Sequence, residues 1–313
     1  MTMPAVLWDT PQPYVHVTVM PEEVVQALAP DRGGLFLDMT AGGGGHAAAI
    51  LSASPRARVI AFDRDRTAVL AARERLAEFG ERARVVHAAF TEAAEWVEHE
   101  GIHEVDGLVA DLGISSQQLS DRLRGMSFRQ EGPLDMRMDR TDGETAKELV
   151  ARLTQDQLAD VIYQFGEERA SRRVARCIKQ ALAEGQLETT LDLRRAVVRA
   201  VGPRRIGGID PATRTFQALR IAVNDELGQL QALLAWAPQV LRPGGTAVFL
   251  SFHSLEDRLV KRAFLDREVW DRLTTKPLVA SEAEQAQNPR ARSAKLRAAQ
   301  RYAPPYDLQG EET

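Results

Sequence analysis

The sequence predicts an α/β protein with a doubly wound, mostly parallel sheet and an inserted helical segment. Three observations support this fold class. Short apolar segments alternate with segments of helical period over the first 113 residues, as in βαβ units. The alternation stops between residues 119 and 213, where turns and helical patterns follow one another without a convincing strand. It resumes between residues 214 and 254 with a long helical pattern, a turn and an apolar segment.

The first half of the sheet is predicted from four apolar segments that each end near a polar or aromatic residue. Buried strands of a parallel sheet are apolar on both faces, which distinguishes these segments from amphipathic strands. The helix predicted over 67–80 ends at Gly80, a typical C-terminal stop, and an alanine-rich helix is predicted over 46–53. The four strands are predicted over 34–40, 57–65, 83–90 and 105–113.

The second half contains a helix predicted over 215–241, a turn at 242–245 and a strand over 246–254. The polar, proline-bearing tail from Lys276 is predicted to be loosely ordered. This pattern places a nucleotide-cofactor domain in residues 1–118 and 214–313. A helical domain, inserted after the fourth strand, is predicted in residues 119–213.

Composition and charge exclude several classes of protein. The chain has 313 residues, of which 44% are hydrophobic, and a formal net charge of −4, so the overall charge gives no sign of a nucleic-acid partner. The single cysteine, Cys177, excludes an intramolecular disulfide framework and a multi-cysteine zinc site. No apolar segment is long enough to span a bilayer, and the N-terminus lacks a signal-peptide pattern, so a cytoplasmic protein without a membrane partner is expected.

Four consecutive glycines, Gly42 to Gly45, follow the first predicted strand. Ligands of open α/β sheets bind beyond the carboxyl ends of the strands, where this loop lies. Asp63, Phe90 and Asp111 end the next three predicted strands. An acid after the second strand can accept hydrogen bonds from both ribose hydroxyls, Phe90 can pack on an adenine, and Asp111 can accept from an amino group. Together these residues predict a cofactor that contains a nucleoside.

Two cofactors fit these features. Gly42, Gly44 and Ala47 satisfy the dinucleotide pattern G-x-G-x-x-G/A, which favours NAD, although a run of glycines matches many patterns. S-adenosylmethionine contains no phosphate and carries an ammonium group. Asp38, immediately before the loop, would repel a pyrophosphate and attract a cation, so S-adenosylmethionine is favoured. A turn that serves only helix packing is the third interpretation.

His46 stands where the first helix of the sheet domain is predicted to begin. Its backbone N–H can point at a ligand, whereas the ring is expected to cap or pack. No second histidine or cysteine lies near it at metal-ligand spacing, so no metal site is predicted.

Longer motifs identify a family that the chain resembles. SFHSLED (251–257), PATRTFQALRI (211–221) and GPLDMRMD (132–139) are long and specific, and further matches run in family order along nearly the whole chain. The chain is identified by them as a member of the MraW/RsmH family of bacterial 16S ribosomal RNA methyltransferases. Further matching stretches are HVTVMPEEVV (16–25), DMTAGGGGH (38–46), AFDRD (61–65), VDGLVADLGISSQQL (105–119), YQFGEERASRRVAR (163–176), RPGG (242–245) and NPRARSAKLRAAQR (288–301).

The resemblance implies a Rossmann-like methyltransferase sheet, S-adenosylmethionine as cofactor, and the exocyclic N4 of a cytidine in 16S ribosomal RNA as methyl acceptor. It implies that the inserted helical segment recognises the RNA, within the small ribosomal subunit. One departure from the family is the loss of a proline at Gln117, and a shorter segment between Phe264 and Lys276 is another. The cofactor contacts that it implies are Gly44, Gly45, His46, Asp63, Phe90, Asp111 and Gln118.

Methylation of a cytosine amino group requires an acceptor that holds its N–H bonds, because the nitrogen lone pair is delocalised into the ring. Methyl transfer then depends mainly on positioning. Asp111, or a backbone carbonyl beside it, is the first candidate acceptor, and this role competes with one toward the cofactor. Ser115 is a second candidate, or else it caps a turn. His253 follows the last predicted strand and is predicted to face the RNA or accept a proton, oriented by Asp257, while water is the alternative acceptor.

Two basic clusters are predicted to contact RNA phosphates. Residues 169–214 contain eleven lysines and arginines but four acids, a local net charge of 11 − 4 = +7. The predicted RNA contacts there are Arg169, Arg172, Arg173, Arg176 and Arg214, with a solvated helix face as the alternative. The second cluster is interpreted either as a phosphate contact or as a disordered basic tail. It consists of Arg290, Arg292, Lys295, Arg297 and Arg301.

Two other functions remain compatible with these residues. One is an NAD-dependent oxidoreductase, and the other is an RNA-binding protein with a vestigial cofactor fold. The sequence predicts a 16S ribosomal RNA partner and no metal, and it indicates no oligomeric state.

Overall fold

The structure is a computed structural model that describes residues 17–203 and 210–303. Within these ranges the chain forms seven strands in one sheet. They are β1 (Gly34–Asp38), β2 (Ala57–Asp63), β3 (Ala83–His87), β4 (Val105–Asp111), β5 (Leu241–Ser251), β6 (Trp270–Arg272) and β7 (Lys295–Arg301).

Helices of the described residues cover both faces of the sheet and build a separate helical layer. They are α1 (Pro21–Leu28), α2 (Gly45–Ala53), α3 (Arg66–Leu76), α4 (Phe90–His99), α5 (Ser116–Ser120), α6 (Ala146–Arg152), α7 (Gln155–Gly166), α8 (Ser171–Ala183), α9 (Thr190–Val201), α10 (Thr213–Asn224), α11 (Glu226–Val240), α12 (Ser254–Ala263) and α13 (Glu282–Gln287). Short 3₁₀ turns cover Pro30–Arg32, Ala77–Arg82, Arg122–Arg124 and Pro289–Ser293.

The strand order across the sheet is β3-β2-β1-β4-β5-β7-β6. Strands β1 to β5 are parallel, whereas β7 runs antiparallel to both β5 and β6. The chain winds outward from β1 to β3 and then returns to the other side of β1 with β4. This order confirms the predicted doubly wound, Rossmann-like sheet. The reversal between β1 and β4 creates the crevice in which ligands of such sheets bind.

Two apolar clusters fill the faces of the sheet. On one face, Ile50 of α2 and Leu76 of α3 pack on the sheet together with Val24 of α1. On the other face, Val97 of α4 and Leu233 of α11 pack against the same strands. Both faces of the central strands are therefore buried, which explains why their sequences are apolar at nearly every position.

The four predicted strands of the first half are present and begin where predicted, but each ends two or three residues earlier than predicted. Strand β3 ends at His87, and Phe90 begins α4 instead of ending the strand. The reason is a helix cap, because Ala89 N–H donates to the Glu92 carboxylate over 2.6 Å and so starts the helix at Phe90. The prediction that Phe90 ends a strand is therefore wrong, although the residue still lies beyond the sheet edge.

Between β4 and β5 the described residues form helices and no strand, as predicted. Helices α6 to α10 form the helical layer. Together with the loop before α6, their apolar side chains build a third cluster that extends from Leu134 to Leu219. The predicted helix over 215–241 is two helices, because Asp225 adopts a left-handed conformation (φ 47°) between α10 and α11. Arg204 and Arg205 of the first basic cluster lie outside the described residues. The domain limits at 118/119 and 213/214 stay a prediction.

Strand β5 begins earlier than predicted. The RPGG segment does not form a separate turn but a bulge within the strand, since Val105 pairs with Leu241 and Gly107 pairs with Thr246. Two steps along β4 thus oppose five along β5, and Gly244 takes the left-handed φ of 75° that this bulge requires.

The tail from Lys276 is ordered over its described residues, so the prediction of a loose tail is wrong. Strand β7 lies between β5 and β6, where its backbone pairs on both sides. Backbone hydrogen bonds to both neighbouring strands stabilise β7, and its residues Leu296 and Ala298 are buried in the sheet. Polar composition misled the prediction, because lysine and arginine side chains alternate here with small apolar residues.

Within residues 17–203 and 210–303, none of the helices combines the length and the apolar character needed for a bilayer span.

Asn224 joins the helical layer to the loop that precedes α6. Its amide nitrogen donates to Met136 O (2.8 Å), and its amide oxygen accepts from Met138 N–H (2.8 Å). The Arg64 guanidinium, beyond β2, donates to the backbone carbonyl of Asn224 over 2.7 Å. One buried side chain thus fixes a loop that reaches the sheet edge.

We expect Asn224→Ala to lower the free energy of unfolding by about 2–4 kcal/mol, because it leaves a buried N–H and a buried carbonyl without partners. Urea unfolding followed by circular dichroism measures the change. The control is Gln239→Ala, which removes an exposed amide that donates to Ala235 O, with an expected change within about 0.5 kcal/mol. Equal effects of both substitutions would contradict the role of Asn224.

Candidate functional site

A cavity lies at the carboxyl ends of β1, β2 and β4, where the strand order reverses. We call it the first cavity. Residues from the β1–α2 loop, the end of β2, the start of α4 and the segment after β4 form its wall. Its lining includes Met39, Thr40, Gly42, Asp63, Phe90, Asp111, Gly113, Ser115, Gln118, Met138, Glu226, Gln229, Glu256 and Arg290.

Of the seven predicted cofactor contacts, four line this cavity and three do not, and the predicted catalytic residue Ser115 lines it as well. Asp63, Phe90, Asp111, Ser115 and Gln118 belong to its wall. Gly44, Gly45 and His46 lie at the start of α2, and Gly42 is the member of the glycine run that lines the cavity.

The glycine run is needed for backbone conformation and for close packing. Gly42 and Gly44 have left-handed φ angles of 49° and 74°, and Gly42 N–H donates to Asp63 Oδ2 over 2.8 Å. A Cβ at Gly45 would lie 1.7 Å from Thr18 Oγ1. The loop is therefore shaped by Gly42 and Gly44, whereas Gly45 allows the segment before α1 to approach α2.

The ring of His46 packs inside the protein, as one of the two interpretations predicted. Its Nε2 lies 2.9 Å from Val19 O, and the residue is buried. The ring therefore connects the start of α2 to the segment before α1. Its backbone N–H remains the part of the residue that is proposed to face a ligand.

Two acids stand at the ends of neighbouring strands, of which Asp38 is fully buried and Asp63 is partly buried. Burial raises the pKa of Asp38, which accepts a hydrogen bond from Thr40 N–H (3.1 Å). Burial also raises the pKa of Asp63 to about 6, although hydrogen bonds from the N–H groups of Asp65 and Gly42 oppose the shift. Each Asp63 oxygen accepts one backbone N–H and keeps a second lone pair, so the carboxylate can still accept from ribose hydroxyls.

Asp111 presents an acceptor without a hydrogen-bond partner to the first cavity. Its Oδ1 atom is buried, forms no hydrogen bond with a described residue, and lies 3.6 Å from Arg290 Nη2. Thr40 Oγ1 accepts from Asp111 N–H over 2.6 Å and fixes the end of β4 against the β1–α2 loop. Asp111 Oδ1 is therefore suited to accept a hydrogen bond from an amino group of a ligand.

Gln118 and Ser115 are held by a buried network. Gln118 Nε2 donates to Asp65 Oδ2 (2.9 Å), and its Oε1 accepts from Ser115 N–H (3.0 Å). Ser115 Oγ accepts from Gln118 N–H, so this serine caps α5, as one of the two interpretations predicted. Asp65 also pairs with Arg124 over 2.8 Å, and both side chains are almost completely buried. The network fixes the segment after β4 against the end of β2.

A second cavity adjoins the first one, and the two share Gly113, Ile114 and Arg290 in their walls. Three aromatic side chains line it, of which Phe128 and Phe216 contact each other edge to face at 5.0 Å. Its lining also includes Met126, Arg129, Gln217, Arg220, Phe252 and His253.

His253 caps α12 and is paired with Glu256, not with Asp257. Its Nε2 lies 3.2 Å from Glu256 Oε1. Burial alone would raise the pKa of Glu256, but its contact with the His253 ring, the hydrogen bond from Phe252 N–H and the nearby Arg220 hold that pKa below its ordinary value. Asp257 instead binds Arg297 (2.7 Å) and Lys295 (3.3 Å). The prediction that Asp257 orients His253 is therefore wrong.

Glu226, His253 and Glu256 bring three potential metal-ligand atoms within 4.8 Å of one another. Arg220, however, forms two hydrogen bonds to Glu226, at 2.7 and 2.9 Å. Glu256 accepts Phe252 N–H over 2.9 Å and pairs with His253. These partners already occupy the carboxylate oxygens of both glutamates, so we assign no metal to the group.

The predicted RNA-binding arginines divide between two surfaces. Arg169, Arg173 and Arg214 line a groove between the helical layer and α12, together with Tyr163 and Arg258. Arg172 and Arg176 lie on α8 but do not line the groove. Arg169, Arg172, Arg173 and Arg176 are exposed, and none has an ion pair or hydrogen bond with another described residue.

The second basic cluster is not a disordered tail over its described residues. Arg297 is 7% exposed and pairs with Asp257, and Arg301 donates to Leu241 O. Arg292 Nε donates to Gln285 O. Arg290 reaches both cavities, with its guanidinium 4.6 Å from the Phe252 ring centroid. Most of this cluster therefore holds the end of the chain against its neighbours, whereas Arg290 lines the first and the second cavity.

Sequence reasoning missed Asp65, Arg124, Glu256 and the cavity position of Arg290. Asp65 and Glu256 stand inside motifs that were recognised, AFDRD and SFHSLED, but their roles depend on partners far along the chain. Arg124 meets Asp65 across 59 residues of sequence. No spacing rule in the sequence indicates such a pair.

Comparisons with known proteins agree with this arrangement. Residues 13–302 match the MraW methylase family. The chain is 62% identical to "Ribosomal RNA small subunit methyltransferase H" of Sorangium cellulosum, over 91% of this chain and 90% of that protein. It is 49% identical to the protein of that name from Synechococcus elongatus, over 95% of this chain and 99% of that protein. A crystal structure of an rRNA methylase from Streptococcus thermophilus aligns with 90% of this chain and 94% of that chain, at 10% identity and a TM-score of 0.39.

We expect Asp63→Asn to change how the stability of the ligand-free protein depends on pH. Asp63 has a folded pKa of about 6 against an ordinary value of 3.8, so its proton stabilises the fold at low pH. That contribution, about 3 kcal/mol, is lost as the pH rises from about 4 through 6. Urea unfolding of both proteins between pH 4.5 and 7.5 measures it.

The free energy of unfolding of the wild type, relative to Asp63→Asn, should fall over this range and become constant above about pH 7. A difference that stays constant from pH 4.5 to 7.5 would contradict the raised pKa of Asp63.

Proposed function

Since the chain belongs to the MraW methylase family, we propose that it transfers a methyl group from S-adenosylmethionine to the exocyclic N4 of a cytidine in 16S ribosomal RNA. The observation that carries the proposal is the free acceptor of Asp111, Oδ1, which lines the first cavity and lies 3.6 Å from Arg290, a residue in the walls of both cavities. One cavity suits a nucleoside cofactor, and the other, rich in aromatic side chains, suits a base.

The first cavity is proposed to hold S-adenosylmethionine, which supplies an electrophilic methyl group when it is bound. Asp63 would accept hydrogen bonds from the ribose, and Phe90 would pack on the adenine. Gln118 would contact the cofactor with the part of its amide that the buried network leaves free. The backbone at Gly44, Gly45 and His46 would face the methionine end. The acids Asp38 and Asp63 favour a cationic ligand over the pyrophosphate of NAD.

The target amino group is proposed to donate a hydrogen bond to Asp111. This contact would hold the N–H in place and turn the nitrogen lone pair toward the methyl donor. Asp111 can make this contact or one to the cofactor. Ser115 keeps its hydroxyl proton for donation, because its oxygen serves only as an acceptor in the α5 cap.

His253 is proposed to receive the proton that the nitrogen loses, or to face the RNA, with water as the alternative proton acceptor. It lines the second cavity, and its Nε2 lies 3.2 Å from Glu256 Oε1. The structure therefore supports Glu256 as the residue that orients His253.

The second cavity is proposed to receive a cytosine that has left its stack, flanked by Phe128, Phe216 and Phe252. Unstacking costs least in single-stranded or loop RNA. The groove beyond it would hold the neighbouring phosphates with Arg169, Arg173 and Arg214, and Tyr163 offers an exposed ring for stacking. Arg172 and Arg176 would extend this contact along α8.

This assignment makes residues 119–213 a substrate-recognition domain, inserted into a cofactor domain of residues 1–118 and 214–313. The proposed substrate is 16S ribosomal RNA within the small ribosomal subunit, which implies a cytoplasmic protein.

Nucleoside mass spectrometry of 16S ribosomal RNA tests the activity. RNA from cells that lack the protein should contain less N4-methylcytidine, and purified protein with S-adenosylmethionine should restore it. Asp111→Asn should reduce turnover, because the amide offers a weaker acceptor than the carboxylate. An unchanged N4-methylcytidine content would favour the RNA-binding interpretation, and calorimetric binding of NAD but not S-adenosylmethionine would favour the oxidoreductase.

We expect Arg169→Ala with Arg173→Ala to weaken RNA binding and to reduce the slope of log affinity against log salt concentration by about 1–2. Filter binding of 16S ribosomal RNA at salt concentrations from about 50 to about 300 mM measures both quantities. The matched control is Arg172→Ala with Arg176→Ala, which removes the same charge from the exposed face of α8 outside the groove.

A smaller effect of the control pair would place the phosphate path in the groove, whereas equal effects would extend it over the exposed face of α8. If neither pair alters the slope, both are only solvated residues and the proposed path is wrong.

A further inference from the structure

Arg290 occupies the junction between the two cavities. It is the second residue of the last 3₁₀ turn of the described chain, Pro289–Ser293, and contributes to the wall of both cavities. Its side chain is 15% exposed, and its guanidinium stacks over Phe252 with 4.6 Å to the ring centroid. Stacking and burial fix the orientation of the guanidinium, so its free N–H groups point in defined directions.

One nitrogen of this guanidinium has no partner. Arg290 Nη1 is buried and forms no hydrogen bond with any described residue, while Nη2 lies 3.6 Å from Asp111 Oδ1. Asp111 Oδ1 is likewise buried without a hydrogen bond. A buried donor and a buried acceptor therefore stand side by side, and both lack the partners that buried polar groups normally have.

We propose that Arg290 is a specificity residue that donates a hydrogen bond to N3 of the target cytosine while Asp111 accepts one from N4–H. This inference rests on the proposed methylation of a cytidine. Cytosine presents an amino donor next to a ring-nitrogen acceptor, and the pair Asp111–Arg290 presents the complementary acceptor next to a donor.

The same pair rejects uracil. Uracil carries N3–H where cytosine has an acceptor, and a carbonyl where cytosine has an amino group. Its N3–H would face the Arg290 donor, and its O4 would face the Asp111 carboxylate. Both protein groups would then remain buried without partners, which is the arrangement that gives strong discrimination between hydrogen-bonding substrates.

Two other ligands for Arg290 are disfavoured by its surroundings. A phosphate or the carboxylate of the cofactor would have to approach Arg290 next to the Asp111 carboxylate, which would repel it. The wall of the second cavity beside Arg290 is aromatic, with Phe128, Phe216 and Phe252. A neutral, flat ring with an acceptor at its edge fits this position better than an anion.

The test compares 16S ribosomal RNA with cytidine or uridine at the position that the wild-type enzyme methylates, located by mass spectrometry. Binding to both RNAs in small subunits is measured in the presence of S-adenosylhomocysteine. Arg290→Met keeps an unbranched side chain over Phe252 but removes the donors. Arg290→Lys keeps the positive charge and one donor. Arg292→Met is the control, since Arg292 lines neither cavity.

We expect the wild type to prefer cytidine by about tenfold or more, the order of one hydrogen bond to a charged group. Arg290→Met should bind the cytidine RNA about tenfold more weakly and the uridine RNA equally well. Its KM for RNA should rise more than its kcat falls. Arg290→Lys should recover part of the preference, and Arg292→Met should keep all of it.

Several results would overturn the proposal. Equal weakening on both RNAs would make Arg290 a phosphate or packing residue, and a wild type that binds both RNAs equally would remove base reading altogether. A tenfold loss of S-adenosylmethionine affinity in Arg290→Met, measured by calorimetry, would assign the residue to the cofactor. If Arg290→Met does not fold, the preference of Arg290→Lys decides. Failure of the wild type to methylate the cytidine RNA would instead refute the proposed function.

Discussion

The buried ion pair between Arg124 and Asp65 is the interaction on which the site depends. Asp65 caps α3 and accepts from Gln118, while Arg124 also donates to Met138 O over 2.8 Å. These contacts join the end of β2, the segment after β4 and the loop before α6. Loss of either partner would leave a buried charge uncompensated, which typically costs about 3–5 kcal/mol. The helical layer and the first cavity therefore share one electrostatic anchor.

Asp38 and Asp63, at the carboxyl edge of the sheet, bring negative charges together, and a cationic ligand would reduce their mutual repulsion. The pKa of each is raised by burial and by neighbouring acids. A positively charged ligand lowers the free energy of such ionised carboxylates. The same acids repel anions, so the charge at the crevice selects for one sign of ligand before any specific contact forms.

The fold could largely be predicted from sequence, because parallel strands buried on both faces are apolar throughout and end at one edge. Strand order brought Asp63 and Asp111 together as expected from that rule. The predictions were wrong where contacts with distant segments, and not the local sequence pattern, determine the structure. β7 is polar in composition but pairs on both sides, and Asp257 stands beside His253 in sequence yet turns toward Arg297. Glu256 and Arg290 face the cavities through contacts between distant segments, which no local period indicates.

The position of β7 has a consequence for the order in which the protein can be assembled. The strand occupies an interior position of the sheet, yet its residues follow almost all of the other described ones in the chain. Because a ribosome releases residues in chain order, β5 and β6 emerge before β7, the strand that lies between them in the sheet. The 3₁₀ turn that precedes β7 brings Arg290 to the cavities in the same late step. During its own synthesis the protein can therefore bury most of its core before the wall of its two cavities is complete.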